Sequence, residues 1–187
     1  MEPSAVAFAG PRGRSVRPVT MAKKLFNRFL VGLVLLLLVG CDHASKGVAK
    51  AELETGGARE LIHGVVSLRY VENTDVAFNL LRWVPEAIRG PVLLVMGAVA
   101  VALLGYLLLR ARLTASVTVF ALLLVTAGAA GNYLDRILRG YVVDFVELKH
   151  WPVFNVADVY VTAGYCALAW AWFAKRRGPR ALDERSG

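Results

Sequence analysis

Four blocks of this chain are apolar over about the 20 residues that carry a helix across a bilayer, and that leaves few folds open to it. Inside lipid no water pairs with backbone N–H and C=O groups, so a spanning segment closes its own hydrogen bonds as a helix. The first block runs from Leu25 to Cys41. It contains the unbroken run Val34-Leu35-Leu36-Leu37-Leu38-Val39, with Lys23, Lys24 and Arg28 at its start. A second opens at Pro91 and reaches Leu109; proline suits a first helical turn because the donor it lacks would go unpaired there. A third is read from Leu113 to Asn132, and a fourth from Val153 to Ala174, ending on Lys175-Arg176-Arg177. The chain is 57% hydrophobic, above the roughly half of a soluble domain, and the excess lies in these blocks. The expected fold class is membrane all-α, with four transmembrane helices.

Charge gives the orientation. A net charge of +8 would suit a nucleic-acid partner, but the basic residues stand beside the apolar blocks, where topology determinants belong, so no nucleic acid is expected. The N-terminal flank, the Arg110–Arg112 turn and the C-terminal tail are basic. The 42–90 segment balances its lysines and arginines with Asp42, Glu52, Glu54, Glu60, Glu72, Asp75 and Glu86. The positive-inside rule then gives an N-in/C-in arrangement, with the polar segments 42–90 and 133–152 outside. Between helices one and two, Val65, Val66, Leu68, Tyr70, Val71, Val76 and Phe78 alternate in part. They read as two or three short strands of a small extracytoplasmic β-sheet. Residues 1–22 read as a disordered cytoplasmic tail, 23–177 as one membrane domain and 178–187 as a cytoplasmic C-terminal tail.

Ionisable side chains at membrane depth are costly and mark candidate sites. On this topology Asp42 and Lys46 follow helix one, and Asp135 and Arg136 follow helix three. Asp144 lies in a β-like stretch soon after, and Asp158 sits inside helix four; all converge on the outer face. Asn132 with Asp135, and Asn155 with Asp158, repeat the pattern Asn-x-x-Asp, which sets amide and carboxylate on one helix face. Two carboxylates held close do not both ionise readily. One keeps a proton and serves as acid while the other acts as base toward water, so Asp144 and Asp158 point to aspartic-peptidase chemistry. Plainer readings stand beside this one. Asp42 and Lys46 form an i,i+4 pair that would cap helix one, and Asp135-Arg136 would be a helix-end ion pair. Asp158, among apolar neighbours, has no such reading. His43, His63 and His150 are scattered, and no Ser or Cys has a base at a recognisable spacing. Cys41 and Cys166 lack partners at metal-ligand spacing, so no metal or cofactor is expected.

The polar stretches resemble those of lipoprotein signal peptidase (signal peptidase II), the bacterial membrane enzyme family that removes signal peptides from lipidated prolipoproteins. The resemblance rests on Asp42-His43-Ala44-Ser45-Lys46, Asn73-Thr74-Asp75-Val76-Ala77-Phe78, Gly131 to Arg136, Gly140-Tyr141-Val142-Val143-Asp144-Phe145 and Phe154-Asn155-Val156-Ala157-Asp158, in that order across residues 25–175. It implies Asp144 and Asp158 as the catalytic pair, with Asp42, Lys46, Asn73, Asn132, Asp135, Arg136 and Asn155 binding substrate or shaping the site. It further implies prolipoproteins bearing a lipidated cysteine as substrates, membrane lipids as the surroundings, a monomer without metal, and an inner-membrane site at the periplasmic face. Departures from the family pattern are Asp75 where Gly is usual, His43 where Gln is usual, and a short stretch between Asp144 and Asp158.

Two other functions compete. Met21 to Cys41 reads as a signal peptide ending in the lipobox-like Leu38-Val39-Gly40-Cys41, which would make the chain a lipidated substrate. A non-enzymatic membrane protein using a buried Asp for transport or assembly would more often carry inverted repeats or broken helices, and neither is evident.

Overall fold

The structure, a computed structural model, describes residues 18–75, 83–111 and 116–176. Helix α1 (Pro18–Leu53) leads into strands β1 (Arg59–Ile62) and β2 (Val66–Asn73). Helices α2 (Glu86–Arg110) and α3 (Val117–Arg139) follow, then strand β3 (Val142–Leu148) and helix α4 (Val156–Arg176). Each of the four helices is long and apolar enough to cross a membrane. Leu36, Leu37, Val95, Val99, Leu103, Trp170 and Phe173 are exposed along them. On a multi-pass membrane protein such a surface is solvated by lipid rather than left bare.

Helix α3 is the hub, packed against α1, α2 and α4. Its buried side chains run from Ala121 through Ala127 and Gly128 to Gly131 and Asp135. Lipid tails give helices no hydrophobic reason to associate, so close approach over small residues supplies the contact. A Cβ on Gly131 would meet Asp42 Oδ2 at 2.5 Å, and one on Gly164 would meet Val125 Cγ2 at 2.5 Å. Gly128 lies directly against the Ala157 carbonyl of α4. At its end α3 stops on Gly140, which adopts the left-handed conformation (φ 82°) and returns its N–H to the Arg136 carbonyl. Glycine takes that conformation without steric cost, and the chain turns straight into β3.

The sheet has the order β1-β2-β3, antiparallel throughout. Among the described residues, two of its strands come from the segment between α1 and α2. The third, β3, comes from the segment between α3 and α4, a correction to the expectation that the sheet lies wholly between the first two helices. The physical reason is that β2 has two edges, and β3 pairs with the one β1 leaves open, with Val71 opposite Asp144 and Asn73 opposite Val142. Val76 and Phe78, also expected in strands, lie outside the described residues.

Helix ends differ from the expectation in one consistent way. α1 continues beyond Cys41 to Leu53, so Asp42 and Lys46 lie within it rather than after it. α3 continues to Arg139, so Asp135 and Arg136 lie within it too. α2 begins at Glu86 with Pro91 inside it. Polar side chains end an apolar block without ending a helix whose backbone bonds remain intact and whose charges find partners.

Candidate active site

The lower layer of the site is a buried charge cluster. Asp42, Lys46 and Asp135 are each 0% exposed. The i,i+4 pair within α1 forms, with Lys46 Nζ donating to Asp42 Oδ2 at 2.7 Å. The same ammonium lies 2.9 Å from Asp135 Oδ2 and donates to Asn132 Oδ1 at 2.9 Å. All three Lys46 donors are thereby used, which a buried ammonium requires. Asp42 accepts the Ala157 N–H on its other oxygen at 2.8 Å, joining α1 to the first turn of α4. Asp135 also accepts from Arg139 Nη1 at 2.6 Å and from the Val143 N–H at 3.4 Å. The anticipated Asp135–Arg136 pair gives way to these contacts. Arg136 instead donates to the Asn132 carbonyl at 3.2 Å and to the Asp75 carbonyl at 3.0 Å.

Above this layer three asparagines hold two carboxylates. Lys46 can only donate, so it turns the Asn132 amide oxygen toward itself and leaves the amide nitrogen facing Asp158. Asn132 Nδ2 donates to Asp158 Oδ1 at 2.8 Å. Asn155 Nδ2 donates to Asp144 Oδ1 at 2.6 Å and to Asn132 Oδ1 at 3.1 Å. Asn73 Nδ2 donates to Asp144 Oδ2 at 2.9 Å. Asn155 stands just before α4 and trades bonds with Asp158: the Asp158 N–H donates to Asn155 Oδ1 at 3.0 Å, and the Asn155 N–H to Asp158 Oδ2 at 3.2 Å. This is a capping box. Asp158 therefore has the structural reason the sequence had not suggested: it lies in the first turn of α4, where a carboxylate also meets the positive end of the helix dipole.

The strand and the cap are brought together by a short return. After Leu148 the chain turns through His150 (φ 66°). Phe154 and Val146 then exchange backbone bonds of 2.8 and 3.0 Å. Asn155 follows at once, so the stretch that looked short in the sequence is the one that delivers α4 to Asp144.

Asp144 is the more buried of the two carboxylates, 3% exposed, whereas Asp158, for all its apolar neighbours in the sequence, is half-buried. Burial pushes the Asp144 carboxyl up to about 6. The amide donors Asn73 and Asn155 and the Lys46 charge oppose this, and the neighbouring Asp158 charge adds to it. A carboxyl raised by burial beside a second carboxylate is the setting in which one of a pair takes up a proton near neutrality.

The structure thus gathers Asp42, Lys46, Asn73, Asn132, Asp135, Arg136, Asp144, Asn155 and Asp158 from α1, β2, α3, β3 and α4. Sequence reasoning missed Arg139 and Arg89. Arg139 stands four residues after Asp135, a spacing that signals a helical pair. Arg89 carried no signal: it reaches Asp75 Oδ2 at 3.8 Å across a long separation in the chain.

Residues 34–174 match the family described as Signal peptidase (SPase) II. A lipoprotein signal peptidase of Syntrophus aciditrophicus is 34% identical over 148 residues, covering 76% of this chain and 89% of that protein. One from Streptococcus pyogenes is 33% identical over 156 residues, covering 79% and 92%. A bacterial membrane enzyme solved by the in meso method superposes with a TM-score of 0.71 at 23% identity, over 81% of this chain and 92% of that one. At that identity the superposition speaks for the fold alone.

Proposed function

The chain belongs to the signal peptidase II family, and we propose that it removes the signal peptides of bacterial prolipoproteins as an aspartic peptidase, cutting just before the lipidated cysteine. The observation that carries this reading is the pairing of Asp144 and Asp158 through one residue, Asn155, which donates to the first from its side chain and to the second from its backbone. Two carboxylates so linked suit a shared proton and a water held between them. The ionised member takes a proton from that water as it attacks the scissile carbonyl. The protonated member donates to the carbonyl oxygen and then supports departure of the amine. Burial makes Asp144 the member more readily protonated, which favours Asp158 as the base. The amides of Asn73, Asn132 and Asn155 fix both carboxylates, so little reorganisation is needed as the reaction proceeds.

On the orientation that basic flanks support, both termini are cytoplasmic and the sheet and dyad sit at the periplasmic face of the inner membrane. A monomer embedded in lipid, fed by substrates that diffuse in the bilayer, fits this arrangement. On this reading the membrane domain spans residues 23–177.

The direct test is incubation of the purified protein with a diacylglyceryl-modified prolipoprotein. Asp144→Asn and Asp158→Asn keep size and remove the titrating group, so each should slow signal-peptide release by at least about 10²–10⁴ while the protein stays folded. The double variant should be no slower than the worse single one, because the two act as a unit. Release at near wild-type rate by either folded variant would remove that residue from the dyad.

A further inference from the structure

Asp75 is a buried charge near the dyad that the mechanism does not use. Asp75 follows β2, is 7% exposed, and sits where its backbone is already committed: its N–H donates to Asn73 Oδ1 at 2.9 Å, and its carbonyl accepts from Arg136 Nη2 at 3.0 Å. The first bond sets the Asn73 amide. With its oxygen turned to Asp75, the Asn73 nitrogen faces Asp144, to which it donates. The position of Asp75 therefore passes to a carboxylate of the proposed dyad through a single side chain. The Asp75 carboxylate is met by Arg89, in the first turn of α2. Its Nη1 lies 3.8 Å from Asp75 Oδ2, and its Nη2 donates to the Val84 carbonyl at 3.1 Å.

The charges around this point are unequal. Arg136 of α3 lies within Coulombic reach of Asp75, Asp135, Asp144 and Asp158. Lys46 of α1 is engaged by Asp42 and Asp135. The carboxylate at position 75 adds to the negative charge near Arg136, and Arg89 brings a second cation to it. We infer that Asp75 and Arg89 form a positioning pair, which seats Asn73 against Asp144 and keeps the Arg136 charge available to the two acidic residues. The inference rests on the aspartic-peptidase reading for its consequence but on geometry for the pair itself.

A double-mutant cycle in the prolipoprotein assay tests it, with Asp75→Asn, Arg89→Gln and both together, each followed across pH. Arg89→Gln removes a positive charge near the dyad, which favours protonation, so the acidic limb of the kcat profile should move to higher pH. Asp75→Asn leaves an unpaired positive charge, so that limb should move to lower pH. The double variant should return toward wild type, and its kcat should depart from the product of the single effects by about twofold or more, the lower edge of coupling between contacting residues. Arg89→Lys keeps the charge and loses the fork, so it should keep the wild-type limb. If a single variant folds poorly, thermal midpoints of all four proteins give the same cycle on stability. Effects that multiply independently, or limbs that move in the same direction, would overturn the inference. Asp144→Asn and Asp158→Asn in the same assay report separately on the dyad: should they retain activity, the dyad falls while the Asp75–Arg89 coupling is still read on the rate.

Discussion

Lys46 shows most plainly what a single side chain does here. It is a buried ammonium held by two carboxylates and an amide. Removing one partner of a buried ionic cluster costs about 3–5 kcal/mol, because the opposite charges stay buried without it. Lys46→Met should therefore lower the thermal midpoint strongly as well as activity, and a folded variant of wild-type stability would show that the cluster does not depend on its ammonium. Asp144 offers a second test through pH. Burial pushes its carboxyl up to about 6, above the usual carboxylate value of 3.8. Between those values the folded state binds more protons than the unfolded one, so the stability this residue contributes is whole below about 4 and is lost as pH rises through about 6. The wild-type midpoint in detergent should fall relative to that of Asp144→Asn over this window; a constant difference would mean that the group is not raised.

Elements carry the site as much as residues do, and their ends were the least legible part of the sequence. The four helices and their apolar middles could be read because a bilayer imposes a length and a composition. The continuation of α1 through Asp42 and Lys46 could not, since the partners that make those charges tolerable, Asp135 and Asn132, lie on α3. Likewise the stretch from Tyr141 to Phe145 looked β-like, yet nothing local indicated that it would pair with β2. Asp144 and Asp158 were singled out from topology and from the family resemblance, but Asn155 joining them depends on the return at His150 and Phe154. That residue has two tasks. As a helix cap its loss costs about 1 kcal/mol, and as a donor to Asp144 it serves the site. Asn155→Ala should thus cost modest stability and a much larger factor in turnover, whereas Asn155→Asp should keep the cap and still lose turnover. Equal stability and rate losses in both would reduce Asn155 to a cap. Packing on α3 is less forgiving: a methyl at Gly131 would press on Asp42 Oδ2, so Gly131→Ala should destabilise by about 1–3 kcal/mol, measurable as a lowered midpoint.

At the scale of the whole molecule the competing reading of Cys41 meets the fold. α1 passes through Cys41 without a break, and the buried Asp42 and Lys46 follow immediately. A signal peptide ending at Cys41 would have to be cut from the middle of that helix. Intact mass should show a chain that retains residues before Cys41 and carries an unmodified thiol there; a mature terminus at a diacylated Cys41 would overturn the assignment of this chain as the peptidase. The orientation is tested by single-cysteine labelling in a background without Cys41 and Cys166: positions 60 and 147 should react from the periplasm and position 111 should not.

The same cluster also sets a schedule for synthesis. Lys46 and Asn132 are 86 residues apart in the chain, and at about 5–20 residues per second the ribosome needs several seconds to supply the second after the first. Throughout that wait α1 holds an ammonium that its final partners have not yet reached. Asp42, one turn earlier on the same helix, is there from the start. The pair can enter the membrane as a neutral unit and be handed over to α3 when it arrives, so an Asp42→Asn chain should stall as an exposed early intermediate and be degraded more quickly during biogenesis than its stability once assembled would explain.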